Sequence, residues 1–317
     1  MKNSYQVEPA TTVQEQPVNN DLAKVKDITT SGNPFLIVLS LFSLYFIWGG
    51  TYLAMRIGLE GFPPFLMASV RFLIAGSLLY AVLRLRGAVA PTRAQWIGSA
   101  IIGTLLLVGG NGGVAFSEQW VASGLAAVGL AAIPLWTALF AGFWGRWPTR
   151  IEWLGLGVGF IGVILLNLGN GMWTNPLGAI ALLLAAISWA LGSAWSRHIS
   201  LPPGLMSSAA QMLVGGCVLL VLSLGLRERT PNLAVGQSLW AIAFLIIFGS
   251  LVAFSAYGYL LRHVRPALAT SYAYVNPMVA VGLGVLLAGE RLTPIELVAI
   301  AVTLTGVGLV SLGKGRV

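Results

Sequence analysis

The chain has 317 residues, 57% of them hydrophobic and 9% charged, and its formal net charge is +8. A soluble domain carries about a quarter charged residues, so this composition excludes a soluble globular protein and indicates a chain embedded in lipid. The basic residues are spread over short loops and are not gathered in one patch. We therefore interpret the positive charge as a topology signal, and we expect no nucleic-acid partner.

The N-terminal segment, residues 1–34, is polar and holds several acids and lysines. It lacks the apolar core that a secretory signal requires. We predict that this segment is a disordered cytoplasmic tail.

Ten apolar runs follow, each close to the ~20 residues that cross a bilayer as a helix. Prolines and turn residues separate several runs, for example at Pro63-Pro64 and Pro202-Pro203. The sequence therefore predicts an all-α integral membrane protein with ten transmembrane helices. The predicted spans are Phe35–Met55, Pro64–Leu83, Trp96–Phe116, Ala122–Phe143, Trp153–Leu168, Pro176–Trp195, Gly204–Leu224, Trp240–Leu261, Ala267–Ala288 and Pro294–Leu312.

The distribution of Lys and Arg among the loops predicts the orientation. Ten spans place both chain ends on one side, and the loops on that side carry most of the basic residues. Basic loops are retained in the cytoplasm, so both termini are predicted to be cytoplasmic and the chain to lie in the cytoplasmic (inner) membrane.

The two halves of the chain, residues 35–169 and 176–313, repeat each other. Pro63-Pro64-Phe65-Leu66-Met67 recurs as Pro202-Pro203-Gly204-Leu205-Met206. A constant offset also relates Gly145, Thr149, Ile151, Glu152, Gly162 and Gly169 to Gly289, Thr293, Ile295, Glu296, Gly306 and Gly313. Because each unit has five helices, the second must enter the membrane from the opposite side. Two inverted five-helix repeats are typical of secondary transporters, whose binding site lies between the repeats near the membrane midplane.

Several short motifs in chain order resemble the EamA family of the drug/metabolite transporter superfamily. They are Trp48-Gly49-Gly50-Thr51-Tyr52, Arg71-Phe72-Leu73-Ile74-Ala75-Gly76, Ile133-Pro134-Leu135, Asn276-Pro277 and Gly289-Glu290-Arg291-Leu292-Thr293. The resemblance covers about Phe35 to Gly313. It implies ten helices in two repeats and export of amino acids, related metabolites or drugs across a bacterial inner membrane.

Ionisable residues are nearly absent from the predicted spans. There is no aspartate after Asp27, and both histidines fall in loops. No nucleophile with a nearby base and no set of metal ligands lies at membrane depth, so we expect neither enzyme activity nor a metal or cofactor. Glu118, at the outer end of the third span, is the best titrating candidate, although we expect a solvated loop carboxylate there. Facilitated diffusion, substrate exchange and proton antiport all remain open.

Arg71 is the only Lys or Arg predicted within a span, about seven residues inside the second helix, or ~10 Å at 1.5 Å per residue. A polyanionic substrate would require several such cations, so a neutral, zwitterionic or aromatic solute fits better. A buried arginine should face protein or a water-filled cavity. A structural or gating latch is favoured over a contact with substrate, and both stay open.

Aromatic and amide side chains at depth are the candidate substrate ligands. Trp48 and Tyr52 share one face of the first helix. Pro277 frees a backbone carbonyl in the ninth helix, and Pro134 takes the same place in the fourth, which points to helices that line the site. Pro277, like Arg71, is assigned a structural or gating role. The substrate-binding candidates are Trp48, Tyr52, Asn111, Pro134, Trp136, Trp189, Tyr257, Tyr272 and Asn276.

Together these patterns predict a secondary transporter that exports small metabolites by alternating access. A passive solute pore and a non-transporting membrane assembly protein are the alternatives. The expected partners are a small-molecule substrate and the lipid bilayer, and no oligomeric state is predicted.

Overall fold

A computed structural model describes residues 32–121, 123–145, 147–166, 176–229, 231–232, 235–279 and 294–312. The predicted tail up to Ser31, the linker at 167–175 and the motif at 289–293 lie outside the described residues.

The described chain is helical, and no strand occurs in it. Its helices match the predicted spans in order, and the first continues beyond its predicted end at Met55 because no helix breaker precedes Phe62. The helices are α1 Pro34–Gly61, α2 Pro64–Leu85, α3 Arg93–Ser117, α4 at residues 123–143, α5 Arg150–Leu166, α6 Pro176–Trp195, α7 Leu205–Gly225, α8 Gly236–His263, α9 at residues 266–269 and 272–279, interrupted by a turn at 270–271, and α10 Pro294–Leu312.

Local sequence explains where several helices begin. A proline at the first helical position starts α2, because its missing N–H would lack an intrahelical acceptor there in any case. Asn33 caps α1 by accepting a hydrogen bond from the backbone N–H of Phe35 at 3.0 Å. Thr92 and Gln95 form a reciprocal capping box at the start of α3.

Six helices, namely α1, α2, α3, α6, α7 and α8, are long and apolar enough to cross a membrane. Their outer faces expose large hydrophobic side chains such as Phe42, Leu78 and Val221. In water such surfaces would drive aggregation, whereas lipid tails solvate them. The predicted all-α membrane class is confirmed.

Three helices contain a π-helical segment at their centre: Leu44–Trp48 in α1, Thr104–Gly112 in α3 and Leu245–Phe254 in α8. The π-helix is rare and occurs mostly at functional sites, because its wider turn redirects side chains. Each of these segments carries or adjoins residues of the central cavity described below.

The helix pairs follow the predicted repeat. α2 packs on α7 and α5 on α10, so each of these helices contacts its own counterpart, while α1 packs on α8 and α3 on α6. Glycines permit the close approach. A Cβ on Gly76 would lie 2.9 Å from the backbone nitrogen of Leu213, and one on Gly155 would lie 2.8 Å from the carbonyl oxygen of Gly306. A two-fold relation between the halves predicts this pattern of pairs.

Candidate functional site

A cavity of about 40 Å³ lies at the centre of the bundle, between α1, α2, α3, α4, α6 and α9. Its volume exceeds the roughly 10–15 Å³ that an ordered water molecule needs. The described residues that line it are Trp48, Thr51, Tyr52, Met55, Arg71, Gly110, Asn111, Val114, Leu130, Ile133, Ala185, Trp189 and Tyr272. We call this the central cavity.

One face of α1 forms a wall of the central cavity. Trp48, Thr51, Tyr52 and Met55 all line it, and positions three, four and seven apart share a helix face. The Thr51 hydroxyl donates to the Trp48 carbonyl at 2.7 Å, so it presents little free polarity to a solute. Trp48 and Tyr52 were candidates from the sequence. Thr51 and Met55 were not, although the same spacing could have identified them.

Four aromatic residues, Trp48, Trp189, Tyr257 and Tyr272, form an aromatic cluster at the base of the central cavity. The Trp48 ring lies 5.5 Å from Trp189, 5.3 Å from Tyr257 and 4.8 Å from Tyr272. Trp189 Nε1 donates to the Tyr257 hydroxyl at 3.1 Å, and Ser193 Oγ lies 2.5 Å from that hydroxyl. The rings are therefore fixed by both packing and hydrogen bonds. Ser193 was not a candidate from the sequence.

A second cavity, of about 30 Å³, lies on the far side of the aromatic cluster. Tyr257 and Phe254 line it, together with Gln211, Arg197 and Arg262. Tyr257 does not line the central cavity, but its ring contacts three aromatic residues that do line it, namely Trp48, Trp189 and Tyr272. The aromatic cluster therefore separates the two cavities.

Arg71 is buried and lines the central cavity, with 4% of its surface exposed. Its Nε donates to Ser250 Oγ at 2.7 Å on the π segment of α8, and one terminal nitrogen lies 3.5 Å from Asn111 Oδ1. Among the described residues no carboxylate pairs with Arg71. It has the contact expected of a latch between helices, and it retains N–H groups that could meet a solute.

Asn276 lies behind the cavity wall and is fully buried. With its amide nitrogen facing two carbonyl groups, it donates to Tyr272 O at 3.1 Å and Tyr45 O at 3.3 Å. The Tyr52 hydroxyl bonds to the same amide. Pro277 is also buried and does not line the central cavity. Asn276 joins α9 to the π segment of α1, and its direct contact with substrate remains a prediction.

α4 reaches the central cavity through Leu130 and Ile133, and not through the predicted Pro134 and Trp136. Pro134 is buried, while Trp136 is half-buried and stacks with Phe140 at 6.2 Å. A 3₁₀ turn over Leu130–Ala132 precedes Pro134, and its tighter winding changes which side chains face inward. Uniform α-helical spacing could not predict this.

Glu118 differs from the sequence-based expectation of a solvated carboxylate. It follows Ser117, the last residue of α3, and none of its surface is exposed. The prediction was wrong because a hydrogen-bonded turn follows Ser117, with the amide groups of Trp120 and Val121 both bonded to the Ser117 carbonyl, and Arg56 of α1 contacts the Glu118 backbone. An extended, water-exposed loop is therefore not formed here.

Membrane-length apolar helices around a partly polar cavity define an α-helical membrane protein with an internal cavity. Comparison with known proteins identifies the family. The EamA-like transporter family model matches residues 35–168 and again 176–312. The chain belongs to this family, as the sequence motifs predicted, and it is a membrane transporter.

Relatives and one solved structure agree with this assignment. The uncharacterized inner membrane transporter YedA of Escherichia coli K12 is 48% identical over 276 residues, or 87% of this chain and 90% of YedA. The WAT1-related protein At3g02690, chloroplastic, of Arabidopsis thaliana is 29% identical, covering 89% of this chain and 71% of that protein. A crystal structure with 20% identity superimposes with a TM-score of 0.72 over 87% of this chain and 97% of its own, which supports the fold alone.

Proposed function

We propose that this protein is a secondary transporter of the cytoplasmic membrane that exports small amphipathic metabolites, including amino acids, by alternating access between two inverted repeats. One observation carries the proposal: two cavities lie on opposite sides of a single aromatic cluster. A barrier of one layer of rings can open by small movements of the helices that hold it. A solute in the central cavity would then gain access to the other side.

The chemistry of the central cavity suits a solute with one polar and one apolar end. Trp48, Trp189 and Tyr272 offer aromatic surfaces, and Arg71 with Asn111 offers N–H donors on another wall. An arginine beside a neutral amide fits a single carboxylate, and aromatic faces bind flat or apolar groups. A zwitterionic aromatic compound such as L-phenylalanine is a suitable probe.

The inverted arrangement and the cytoplasmic termini are part of the proposal. The pairing of α2 with α7 and of α5 with α10 supports the two-fold relation, and the Lys and Arg distribution supports the orientation. Accessibility labelling of single cysteines introduced at Gly87 and Gly236, in a variant lacking Cys217, tests both. Gly87 should react from the cytoplasm and Gly236 from outside, and labelling of both from one side would contradict the arrangement.

The transport proposal is tested by a metabolite screen of cells that overexpress the protein, followed by counterflow in proteoliposomes. A transporter gives saturable counterflow of L-phenylalanine or of the metabolite that the screen identifies. A passive pore gives flux without saturation or counterflow. A membrane assembly protein gives no flux, and it tolerates bulky substitutions at Trp48 and Asn111.

A further inference from the structure

The carboxyl group of Glu118 is completely buried at the outer end of α3. Neither of its oxygens has a hydrogen-bond partner among the described residues. An ionised carboxylate in such a position loses its hydration without compensation, which is far more costly than burying the neutral acid. The arrangement of atoms therefore fits a protonated carboxylic acid.

Arg56, the cation that acts on this group, makes no hydrogen bond to its carboxyl oxygens in the conformation described. Arg56 on α1 directs its guanidinium to the backbone carbonyl of Glu118, and its side chain is exposed. Of the other titratable groups, Tyr52 on α1 faces Glu118 from the cavity side. Glu60, Glu228 and Arg229 line a separate outer pocket together with Arg56 and Gln119. Arg56 thus stands between Glu118 and the outer surface, and it could pair with the carboxylate after a local movement.

Glu118 is one helical turn from the central cavity. Val114 lines that cavity and precedes Glu118 by four residues on α3, while Tyr52 precedes Arg56 by four on α1. A turn of four residues is about 6 Å long. Opening the gap between α1 and α3 would expose Glu118 to water and Arg56, and closing it would bury the carboxyl again. We call this pair of helix ends the outer rim.

We propose that Glu118 is a proton-binding site, and that its protonation permits the outer rim to close during the transport cycle. When the rim is open, the carboxylate takes a proton from external water. When the rim is closed, the neutral acid is buried. Export of solute is thereby linked to the external proton concentration, a step that rests on the proposed transport function.

The expected pH dependence follows from the burial. Desolvation raises the pKa of the Glu118 carboxyl well above its ordinary value, and Arg56 opposes this in part. The closed rim binds the proton more tightly than the open rim does. Closure is therefore fully favoured below the ordinary pKa of the group, and it becomes less favourable as pH rises toward and through the raised pKa.

The first test needs no solute. Infrared difference spectra of the full-length protein are recorded over a pH series from acid to alkaline. We expect a protonated carboxyl band that persists to pH values where an exposed glutamate is ionised, that is lost in Glu118→Gln, and that remains in Glu60→Gln, a change at an exposed carboxylate on the same side of the bundle. Absence of the band from the wild-type protein would overturn the proposal, even if the Glu118→Gln variant failed to fold.

The second test measures L-phenylalanine counterflow in proteoliposomes over the same pH series. Between the ordinary pKa of Glu118 and its raised pKa, the wild-type rate should fall by up to about tenfold per pH unit, because closure of the rim takes up one proton. Glu118→Gln, which is permanently neutral, should lose this dependence, and Glu60→Gln should keep it. A wild-type pH profile in Glu118→Gln would refute the coupling. If the infrared band is present but the wild-type protein gives no saturable flux, the proton site stands and the transport proposal fails.

Discussion

Trp48 donates its indole N–H to the carbonyl oxygen of Gly249 at 3.1 Å, although 201 positions separate the two residues in the chain. The bond joins the π segment of α1 to that of α8. Arg71 packs against the same glycine, since a Cβ there would lie 2.8 Å from its guanidinium, and it bonds to the next residue, Ser250. This short stretch of α8 therefore orients an aromatic and a cationic wall of the central cavity.

Replacement of Trp48 by phenylalanine tests the bond to Gly249. The smaller ring keeps an aromatic surface but leaves the buried carbonyl without its donor, at an expected cost of about 1–3 kcal/mol. We expect a lower melting temperature and slower counterflow at normal expression. Trp153 is a control, because its side chain is exposed on α5. If Trp48→Phe behaves like Trp153→Phe in both measurements, the bond does not organise the site.

Gly110 provides a steric test of the aromatic cluster. A Cβ at this position would lie 2.5 Å from Cε3 of Trp189, so Gly110→Ala must displace the indole ring. Transport should be strongly reduced. Gly157→Ala is a matched control in a helix, since nothing lies within 4 Å of its added Cβ. It should retain wild-type flux, and equal activity of the two variants would argue against a fixed Trp189.

The Arg71–Ser250 contact separates latch and substrate roles. Ser250→Ala removes the acceptor of Arg71 Nε and should destabilise the protein by about 1–3 kcal/mol. If Arg71 acts chiefly as a latch, the maximal counterflow rate falls while the half-saturating solute concentration is unchanged. A rise in the half-saturating concentration alone would instead indicate that Arg71 holds the solute. Arg71→Lys should match the wild-type protein neither in maximal rate nor in half-saturating concentration, because lysine lacks the planar fork of the guanidinium.

Replacement of Asn276 by aspartate is expected to prevent folding. Its amide nitrogen donates to the carbonyl oxygens of Tyr272 and Tyr45, and Asn276→Asp would place an acceptor against both. We expect loss of folded protein, measured by size-exclusion chromatography in detergent. Asn111→Asp is the comparison, since Asn111 is only partly buried and lies near Arg71. Similar yields of the two variants would contradict the donor role of Asn276.

Glu152 anchors α5 to the start of α9. Its Oε1 lies 2.5 Å from Arg265, and its Oε2 accepts from the Thr149 amide at 2.8 Å. Only 1% of the Glu152 side chain is exposed, so Glu152→Gln removes one charge of a buried pair at a cost of about 3 kcal/mol. A thermal shift assay should show a marked decrease, whereas the exposed Glu60→Gln should show none.

Sequence patterns sufficed for the helices because lipid imposes a simple rule on every span. The backbone N–H and C=O groups must form hydrogen bonds within the helix, and the side chains that face lipid must be apolar. Two residues of the α1 wall followed from this, since Trp48 and Tyr52 share one face of the helix. α4 was less predictable. The 3₁₀ turn before Pro134 brings Leu130 and Ile133 to the cavity, and only packing against neighbouring helices selects such a turn.

The sequence by itself determined that the chain lies in lipid, the order of its helices and its family. It also identified most of the aromatic and amide residues near the cavity. These properties depend on composition and on spacing within one helix. Only the tertiary structure decided that Tyr257 lies between two cavities, that Asn276 stands behind the wall, and that Glu118 is buried. Each of these depends on contacts between residues far apart in the chain, and burial is the sum of such contacts. A carboxyl group one residue beyond a span looks solvated in sequence, and it is buried here because α1 packs against the end of α3, where Arg56 contacts the Glu118 backbone.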